Sequence, residues 1–387
     1  MEYRVHKKHV VFIMGATSTG KSRLSVDIAT KYSGEIINCD KMQVYKGLDI
    51  VTNKITESEM KGVPHHLLGE IQPDVNFTAQ DFCYHALAVI RKVARSGRLP
   101  VIVGGSNSFI EALVDDPILG FQSKYECCFL WLDVSLPILY SYAERRVDQM
   151  LDSGLLNEVR NIFDPKADYT RGIRKSIGVP ELDEYLRVET KVDHKTAQRL
   201  LDAAISNIKS NTCKLIVSQL LKIYRLKKEL GWPINRIDAT IVFEKQGNEA
   251  EDAWEDYVLQ PCFKIVGNFL NGSKKWASSS TKKRMVFIWV DPIIKRVRHP
   301  FNKRYTSTLA ISNIKSNTCK LIVSQLLKIY RLKKELGWPI NRIDATIVFE
   351  KQGNEVEDAW EDYVLQPCFK IVGNFLNGSK KFVQYIY

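Results

Sequence analysis

His9-Val-Val-Phe-Ile-Met-Gly15-Ala-Thr-Ser-Thr-Gly20-Lys21-Ser22 is the stretch on which the fold turns. His9 to Met14 is a short apolar run bounded by glycine, the pattern of a buried strand. Gly15 to Ser22 fills every fixed position of the phosphate-loop pattern G-x-x-x-x-G-K-[ST]. From Arg23 to Tyr32 the apolar residues Leu24, Ile28 and Ala29 fall at helical spacing. Strand, glycine loop and helix in this order place the backbone N–H groups of Gly15, Ala16, Thr17, Ser18, Thr19 and Gly20 around an anion at a helix N-terminus. Lys21 and a Mg²⁺ ion held by Ser22 supply the remaining positive charge.

Working outward, Glu35-Ile-Ile-Asn-Cys39 reads as a second strand ending at Asp40. That carboxylate emerges at the same sheet edge as the phosphate loop, where open α/β sheets bind ligands, and is the candidate for chemistry. Leu99-Pro-Val-Ile-Val103 is a third strand running through Gly104-Gly105 into a helix. Ser106 and Asn107 there either cap that helix or reach a ligand. Cys127-Cys-Phe-Leu-Trp-Leu132 is a fourth strand, ending at Asp133. Beyond Pro137 the pattern turns helical: Tyr140 to Asp152, Leu155 to Phe163, and a long helix from about Lys195 to Leu230 stopped by Gly231 and Pro233. Strands alternating with helices predict an α/β fold of the P-loop NTPase kind, a parallel sheet with helices on both faces and a helical part covering the substrate.

Ala204–Lys275 recurs at Ala310–Lys381 with one difference, Ala250 against Val356. Two near-identical copies separated by unrelated sequence are not a solenoid, whose units diverge and adjoin; they read as a recent duplication or a faulty gene model. The expected organisation is a P-loop domain over 1–275, a basic connector over 276–309, and a duplicate with a short tail over 310–387. The second copy begins without an obvious partner strand and is expected to pack loosely, with Ile314, Leu321, Ile329 and Leu332 seeking another surface.

The repeat also localises the charge. The 387 residues hold 56 Lys+Arg and 44 Asp+Glu, a net +12. Of this the connector carries +7 and the second copy +3, which leaves 1–275 at +2. The electrostatic footprint of a nucleic-acid binder is therefore weak in the part that looks folded, and nucleic acid is not an expected partner. No apolar run approaches the roughly 18 residues of a membrane helix. The eight cysteines form no Cys-x-x-Cys pair, so neither a disulfide scaffold nor a zinc ribbon is expected. The few basic, Ser-poor residues ahead of the first strand do not read as a transit peptide. The resulting expectation is a cytoplasmic protein, with a plastid address reserved for a longer N-terminus.

Several segments together resemble one family. Gly15 to Ser22, Asn38-Cys-Asp-Lys-Met-Gln-Val-Tyr-Lys-Gly47, Gly62-Val-Pro-His-His-Leu67, Gly97-Arg-Leu-Pro-Val-Ile-Val-Gly-Gly105 and Arg171-Gly-Ile-Arg-Lys-Ser-Ile-Gly-Val-Pro180 are similar to the isopentenyltransferases that prenylate N6 of adenine. Within that group, Gly104 to Asp116 and Arg236-Ile-Asp-Ala-Thr240 resemble the plant adenylate isopentenyltransferases of cytokinin synthesis. The resemblance runs from about residue 9 to 272. It implies transfer of a dimethylallyl group from dimethylallyl diphosphate to ATP, ADP or AMP, with Mg²⁺ as cofactor. It also implies that Gly15 to Ser22 holds the leaving diphosphate, that Asp40 is the base, and that Thr19 and Arg146 stand near the diphosphate. Two departures bear on activity: Ser18 replaces a usual glycine of the loop, and Val217-Ser218-Gln219 stands where Cys-Arg-Gln is expected, removing a cation. The rival readings are an impaired, non-enzymatic member of the family, a tRNA isopentenyltransferase, and a small-molecule kinase. The paired His65 and His66 read as packing or substrate contacts.

Overall fold

The computed structural model describes residues 7–272, 287–291, 340–344, 359–368 and 370. The chain divides into two compact units, one built on Met1–Lys275 and the other containing Trp276–Thr308 and Leu321–Tyr387. In the first unit the elements run β1 (Lys8–Met14), α1 (Lys21–Lys31), β2 (Gly34–Asn38), α2 (Glu57–Met60), β3 (His65–His66), α3 (Ala79–Arg95), β4 (Leu99–Val103), α4 (Asn107–Asp115), α5 (Phe121–Lys124) and β5 (Tyr125–Asp133). They continue with α6 (Leu136–Asp152), α7 (Leu155–Asn161), α8 (Val179–Val188), α9 (His194–Lys228), β6 (Ile234–Asp238), α10 (Thr240–Glu244), α11 (Gly247–Trp254) and α12 (Gln260–Leu270).

The six strands form one parallel sheet in the order β3-β2-β4-β1-β5-β6. Val10 to Met14 are fully buried, every residue on both faces of the strand. That is why this run is uninterrupted rather than alternating: a parallel strand covered by helices on both sides has no solvent face. The chain leaves β1 and returns on one side through β4 and on the other through β5, so the loop after β1 opens into the crevice at a switch point of the sheet.

The predicted strands at 9–14, 35–39, 99–103 and 127–132 are β1, β2, β4 and β5, and the long helix is α9. Asp193 starts α9, its side chain accepting from the Thr196 N–H at 3.0 Å. The edge strands β3 and β6 were not anticipated. β3 is two residues long, too short for a periodic signal, and β6 is Ile-Asn-Arg-Ile-Asp, three polar residues in five with no strict alternation, at the edge of the sheet. Helix α6 begins at Leu136, earlier than the periodicity indicates, with Pro137 in its first turn.

In the second unit, Phe287–Asp291 (β7) pairs in parallel with Ile340–Asp344 (β8). This corrects the expectation that the second copy brings no partner strand: the connector supplies it. The pairing repeats the first copy. Phe129-Leu-Trp-Leu-Asp133 faces Ile234–Asp238 residue by residue, and Phe287-Ile-Trp-Val-Asp291 faces Ile340–Asp344 in the same register. Apart from 359–368 and 370, the remainder of the tail, including Ile314, Leu321, Ser324, Ile329 and Leu332, lies outside the described residues, and so does the loose packing expected of those side chains.

Candidate active site

A cavity of about 800 Å³ opens above the C-terminal ends of β1, β2 and β4. Its floor is the phosphate loop, represented by Thr17, Ser18, Gly20, Lys21 and Ser22; one side carries Asp40 and Ser106, and α6, α9 and the segment before α8 form the cover. A second cavity of about 690 Å³ shares Ser22, Arg23, Arg146, Gln149 and Met150 with it. Both volumes lie in the range of small-ligand sites.

The loop is held by contacts from distant elements. Gly15 has no room for a side chain: a Cβ there would stand 2.5 Å from the Leu132 carbonyl oxygen and 2.9 Å from Thr19 Oγ1. Thr19 is fully buried and its hydroxyl donates to the Ala16 carbonyl at 3.0 Å, so its side chain braces the loop from within and does not line the cavity. The structure thus places the Thr19 hydroxyl beneath the loop and not on the cavity wall where its expected catalytic role would put it. Ser18 adopts φ 70° with its hydroxyl buried and without a partner. This is the left-handed region that a glycine enters without cost, which accounts physically for the glycine usual at this place. The Thr17 N–H donates to Gln219 Oε1 at 2.7 Å, and the Thr17 hydroxyl accepts from the Arg146 guanidinium at 2.8 Å. Gln219 is in turn fixed through its backbone, whose carbonyl accepts from Asn107 Nδ2 at 3.0 Å.

Lys21 folds back onto the Ala16 carbonyl. Burial lowers its pKa to about 8, opposed by the Asp40 carboxylate and reinforced by Arg146. Burial likewise lowers the Arg146 guanidinium from its ordinary value, and its Nε is buried without a partner. Two cations packed into low dielectric without full counter-charge form a site that gains from an incoming anion.

Asp40 sits just past the end of β2. The Asn38 side chain fixes the turn, donating to the Leu67 carbonyl at 2.9 Å and accepting from the Asp40 N–H at 3.2 Å. Asp40 Oδ1 then accepts from the N–H groups of Met42 at 2.8 Å and Gln43 at 3.3 Å. Its second oxygen accepts no hydrogen bond among the described residues and is left to the cavity that Asp40 lines. Asp40 is thus both a turn acceptor and a cavity carboxylate.

Ser106 and Asn107 part company. Ser106 lines the cavity and its hydroxyl accepts from the Lys41 N–H at 3.0 Å instead of capping α4. Asn107 is 1% exposed, lies behind the cavity wall and ties α9 in place. The structure thus places the Asn107 side chain against α9 and away from the cavity in which a ligand contact was expected. Asp133, at the end of β5, does not line the cavity: its carboxylate pairs with Arg236 at 2.7 Å. His65 and His66 are engaged with the Val63 carbonyl and the Glu35 carboxylate, and neither lines the cavity.

Three ammonium groups went unassigned in the sequence. Lys41, Lys175 and Lys222 line the cavity, and partial desolvation followed by the neighbouring Lys222 and Lys175 charges lowers the Lys41 pKa. Ser218, where an arginine was expected, faces the same cavity, and Lys222 follows it by one helical turn on the same wall. The i, i+4 spacing was the available signal. Such a cluster of unneutralised cations beside the loop provides a second place for phosphate charge.

A family model described as IPP transferase matches residues 43–124 and 119–221. Adenylate isopentenyltransferase 5, chloroplastic, of Arabidopsis thaliana is 53% identical over 270 residues, which span 69% of this chain and 82% of the relative. Adenylate isopentenyltransferase 7, mitochondrial, of the same plant is 51% identical over 70% of this chain and 82% of its own length, and adenylate isopentenyltransferase 3, chloroplastic, is 52% identical over 68% and 80%. Among solved structures, a eukaryotic dimethylallyltransferase acting on tRNA superposes with a TM-score of 0.57 at 22% identity, covering 68% of this chain and 80% of its own. A tRNA isopentenylpyrophosphate transferase from Bacillus halodurans does so with a TM-score of 0.55 at 25% identity, over 69% and 100%.

The relatives' names overturn the expectation of a cytoplasmic protein, since all three are called chloroplastic or mitochondrial. That expectation rested on the short basic stretch ahead of β1. An organelle address is read from a leader rather than from the fold, so the folded residues hold no trace of it. The sheet, the phosphate loop with its facing carboxylate, and identity above half over most of the relatives' length lead to one conclusion: the chain belongs to the isopentenyltransferase family, with the plant adenylate isopentenyltransferases, and is a prenyltransferase.

Proposed function

We propose that the first unit transfers the dimethylallyl group of dimethylallyl diphosphate to the exocyclic N6 amine of ADP or ATP, and less readily AMP, in cytokinin synthesis within an organelle. The observation that carries this reading is that Lys21 and Asp40 border one cavity, with the loop on its floor and the free carboxylate oxygen at its side. In this assignment the loop holds the diphosphate. As the allylic C–O bond breaks, its electron pair passes to the diphosphate oxygen. The loop amides, Lys21 and Arg146 stabilise that growing charge more than they stabilise the ground state. The N6 lone pair forms the new C–N bond and the N6 proton passes to Asp40, a transfer worth roughly 10²- to 10⁴-fold.

Mg²⁺ fits this arrangement as a phosphate-bound ion. Among the described residues no group of three His, Cys, Asp or Glu side chains could cage a metal, whereas the exposed Ser22 lines both cavities. Ser22 and substrate phosphate oxygens would share the ion, as Mg²⁺ sites commonly do, and the ion when bound neutralises charge on the leaving group. Lys41, Lys175 and Lys222 are assigned to the phosphates of the acceptor nucleotide, in part replacing the charge missing at Ser218. A product assay with dimethylallyl diphosphate and Mg²⁺, offering ADP and unmodified tRNA as competing acceptors, tests the reading. Prenylated nucleotide is expected; prenylated tRNA, or phosphoryl transfer from ATP to a small molecule, would replace it with a rival reading.

A further inference from the structure

We propose that Trp254 is a positioning residue for the phosphate loop, holding Gly20 and the first turns of α1 in register from behind. The inference rests on the reading that this loop binds diphosphate. Gly20 closes the loop with φ 87° and begins α1. The edge of the Trp254 indole lies against its backbone, so that a Cβ on Gly20 would meet Trp254 Cζ3 at 3.0 Å and Cη2 at 3.1 Å. The ring is fastened to α1 at two further points. Its Nε1–H donates to Asp27 Oδ2 at 3.2 Å, and the Arg23 guanidinium lies over it at 4.4 Å while pairing with Glu251 one turn earlier on α11. One side chain thus spans Gly20, Arg23 and Asp27, two turns of the helix whose N-terminus faces the anion. It arrives from more than 220 residues further along the chain.

The duplicated segment provides an internal comparison. Ala359-Trp360-Glu-Asp-Tyr-Val364 repeats Ala253-Trp254-Glu-Asp-Tyr-Val258, and the same π-turn follows the tryptophan at Glu361–Leu365 as at Glu255–Leu259. Ala359 and Val364 are buried at 5% and 2%, close to the 4% and 0% of Ala253 and Val258, yet Trp360 is 41% exposed where Trp254 is 2% exposed. The second copy contains no phosphate-loop sequence. With the six residues from Ala253 to Val258 and the turn repeated, and Ala250 against Val356 the one change in the helix before them, the burial of Trp254 is accounted for by the loop and α1 rather than by packing within its own helix. The π-turn directly after Trp254 is a device often found beside functional sites.

A loop released by this side chain misplaces its amides and Lys21 without losing any group that touches substrate. The test uses the full chain with inorganic pyrophosphate and Mg²⁺ as the probe, measured by calorimetry, together with thermal melts and steady-state kinetics. Trp254→Ala is expected to weaken pyrophosphate binding and raise KM for dimethylallyl diphosphate by about tenfold, within the range that small misplacements produce, with the nucleotide KM within about twofold. Trp254→Phe, which keeps a ring against Gly20, restores most of the affinity. Asp27→Ala, which frees the indole N–H at a partly exposed position, gives an intermediate loss and serves if Trp254→Ala does not fold. Pyrophosphate affinity unchanged in these variants, or lost only in proportion to a lowered Tm, overturns the proposal. A wild-type chain that binds no pyrophosphate instead overturns the diphosphate reading beneath it.

Discussion

Gly105→Ala tests how the loop is held from α9. A Cβ on Gly105 would stand 2.1 Å from Gln219 Nε2 and 3.0 Å from its Cδ, well inside any tolerated contact. Gly105 has no left-handed backbone angle, so the substitution acts through space alone. The side chain that yields is Gln219, which is 6% exposed, and in yielding it surrenders its 2.7 Å hydrogen bond from the Thr17 N–H. An unpaired donor at the cavity wall costs about 1–3 kcal/mol. Because Thr17 borders the cavity and water reaches it, a value near 1.5 kcal/mol is expected, or roughly tenfold in KM for dimethylallyl diphosphate. The assay is steady-state kinetics at saturating nucleotide beside Gln219→Ala and the double variant. Since both single changes remove the same bond, their effects should be far from additive. Additive losses, or a silent Gly105→Ala, would refute the reasoning.

Three further outcomes follow from the same geometry. Ser18→Gly relieves a left-handed non-glycine residue, worth about 1–2 kcal/mol, and removes a buried unpartnered hydroxyl; a raised Tm is expected, and a lowered one would show that Ser18 makes a contact this account lacks. Lys21, with its pKa lowered to about 8 by burial, is charged below that pH in the ligand-free protein, so pyrophosphate affinity should be level to about pH 7.5 and fall above 8. The stability of the ligand-free protein moves oppositely: the unfolded chain keeps this proton up to about 10.5, so the penalty for a buried charge is present in full below 8 and relieved between 8 and 10.5. Lys21→Met should abolish both dependences. Lys222→Met should raise KM for ATP and ADP severalfold while leaving AMP nearly unchanged, and an equal effect on all three would remove Lys222 from the nucleotide phosphates.

The sequence carries the centre of the fold better than its margins. β1, β2, β4 and β5 are legible because strands buried on both faces are continuous apolar runs, and the phosphate loop because its glycines answer a steric need that nothing else meets. Asp40 is legible by its place after β2. What escapes the sequence depends on pairs far apart in the chain. Asn107 carries the residue type of a ligand site, yet its side chain is spent on the distant Gln219, while the Thr19 hydroxyl turns inward to Ala16 within the loop itself. Gln219, Lys222 and Trp254 reach the loop or its cavity only because α9 and α11 fold across it. The partner strand Phe287–Asp291 was hidden for another reason: its likeness to β5 is a pattern of five residues inside an otherwise unrelated connector.

Asp40→Asn in the full chain, read by mass spectrometry of the nucleotide product from dimethylallyl diphosphate, ADP and Mg²⁺, tests most directly whether Asp40 is the base. Asparagine keeps the oxygen that accepts from Met42 and Gln43, so the turn and the pyrophosphate affinity should persist. The rate of N6-prenylated nucleotide formation should fall about 10²- to 10⁴-fold. A wild-type chain that yields no such product, or a variant within tenfold of it, would contradict the claim that Asp40 and the phosphate loop form one prenyl-transfer site.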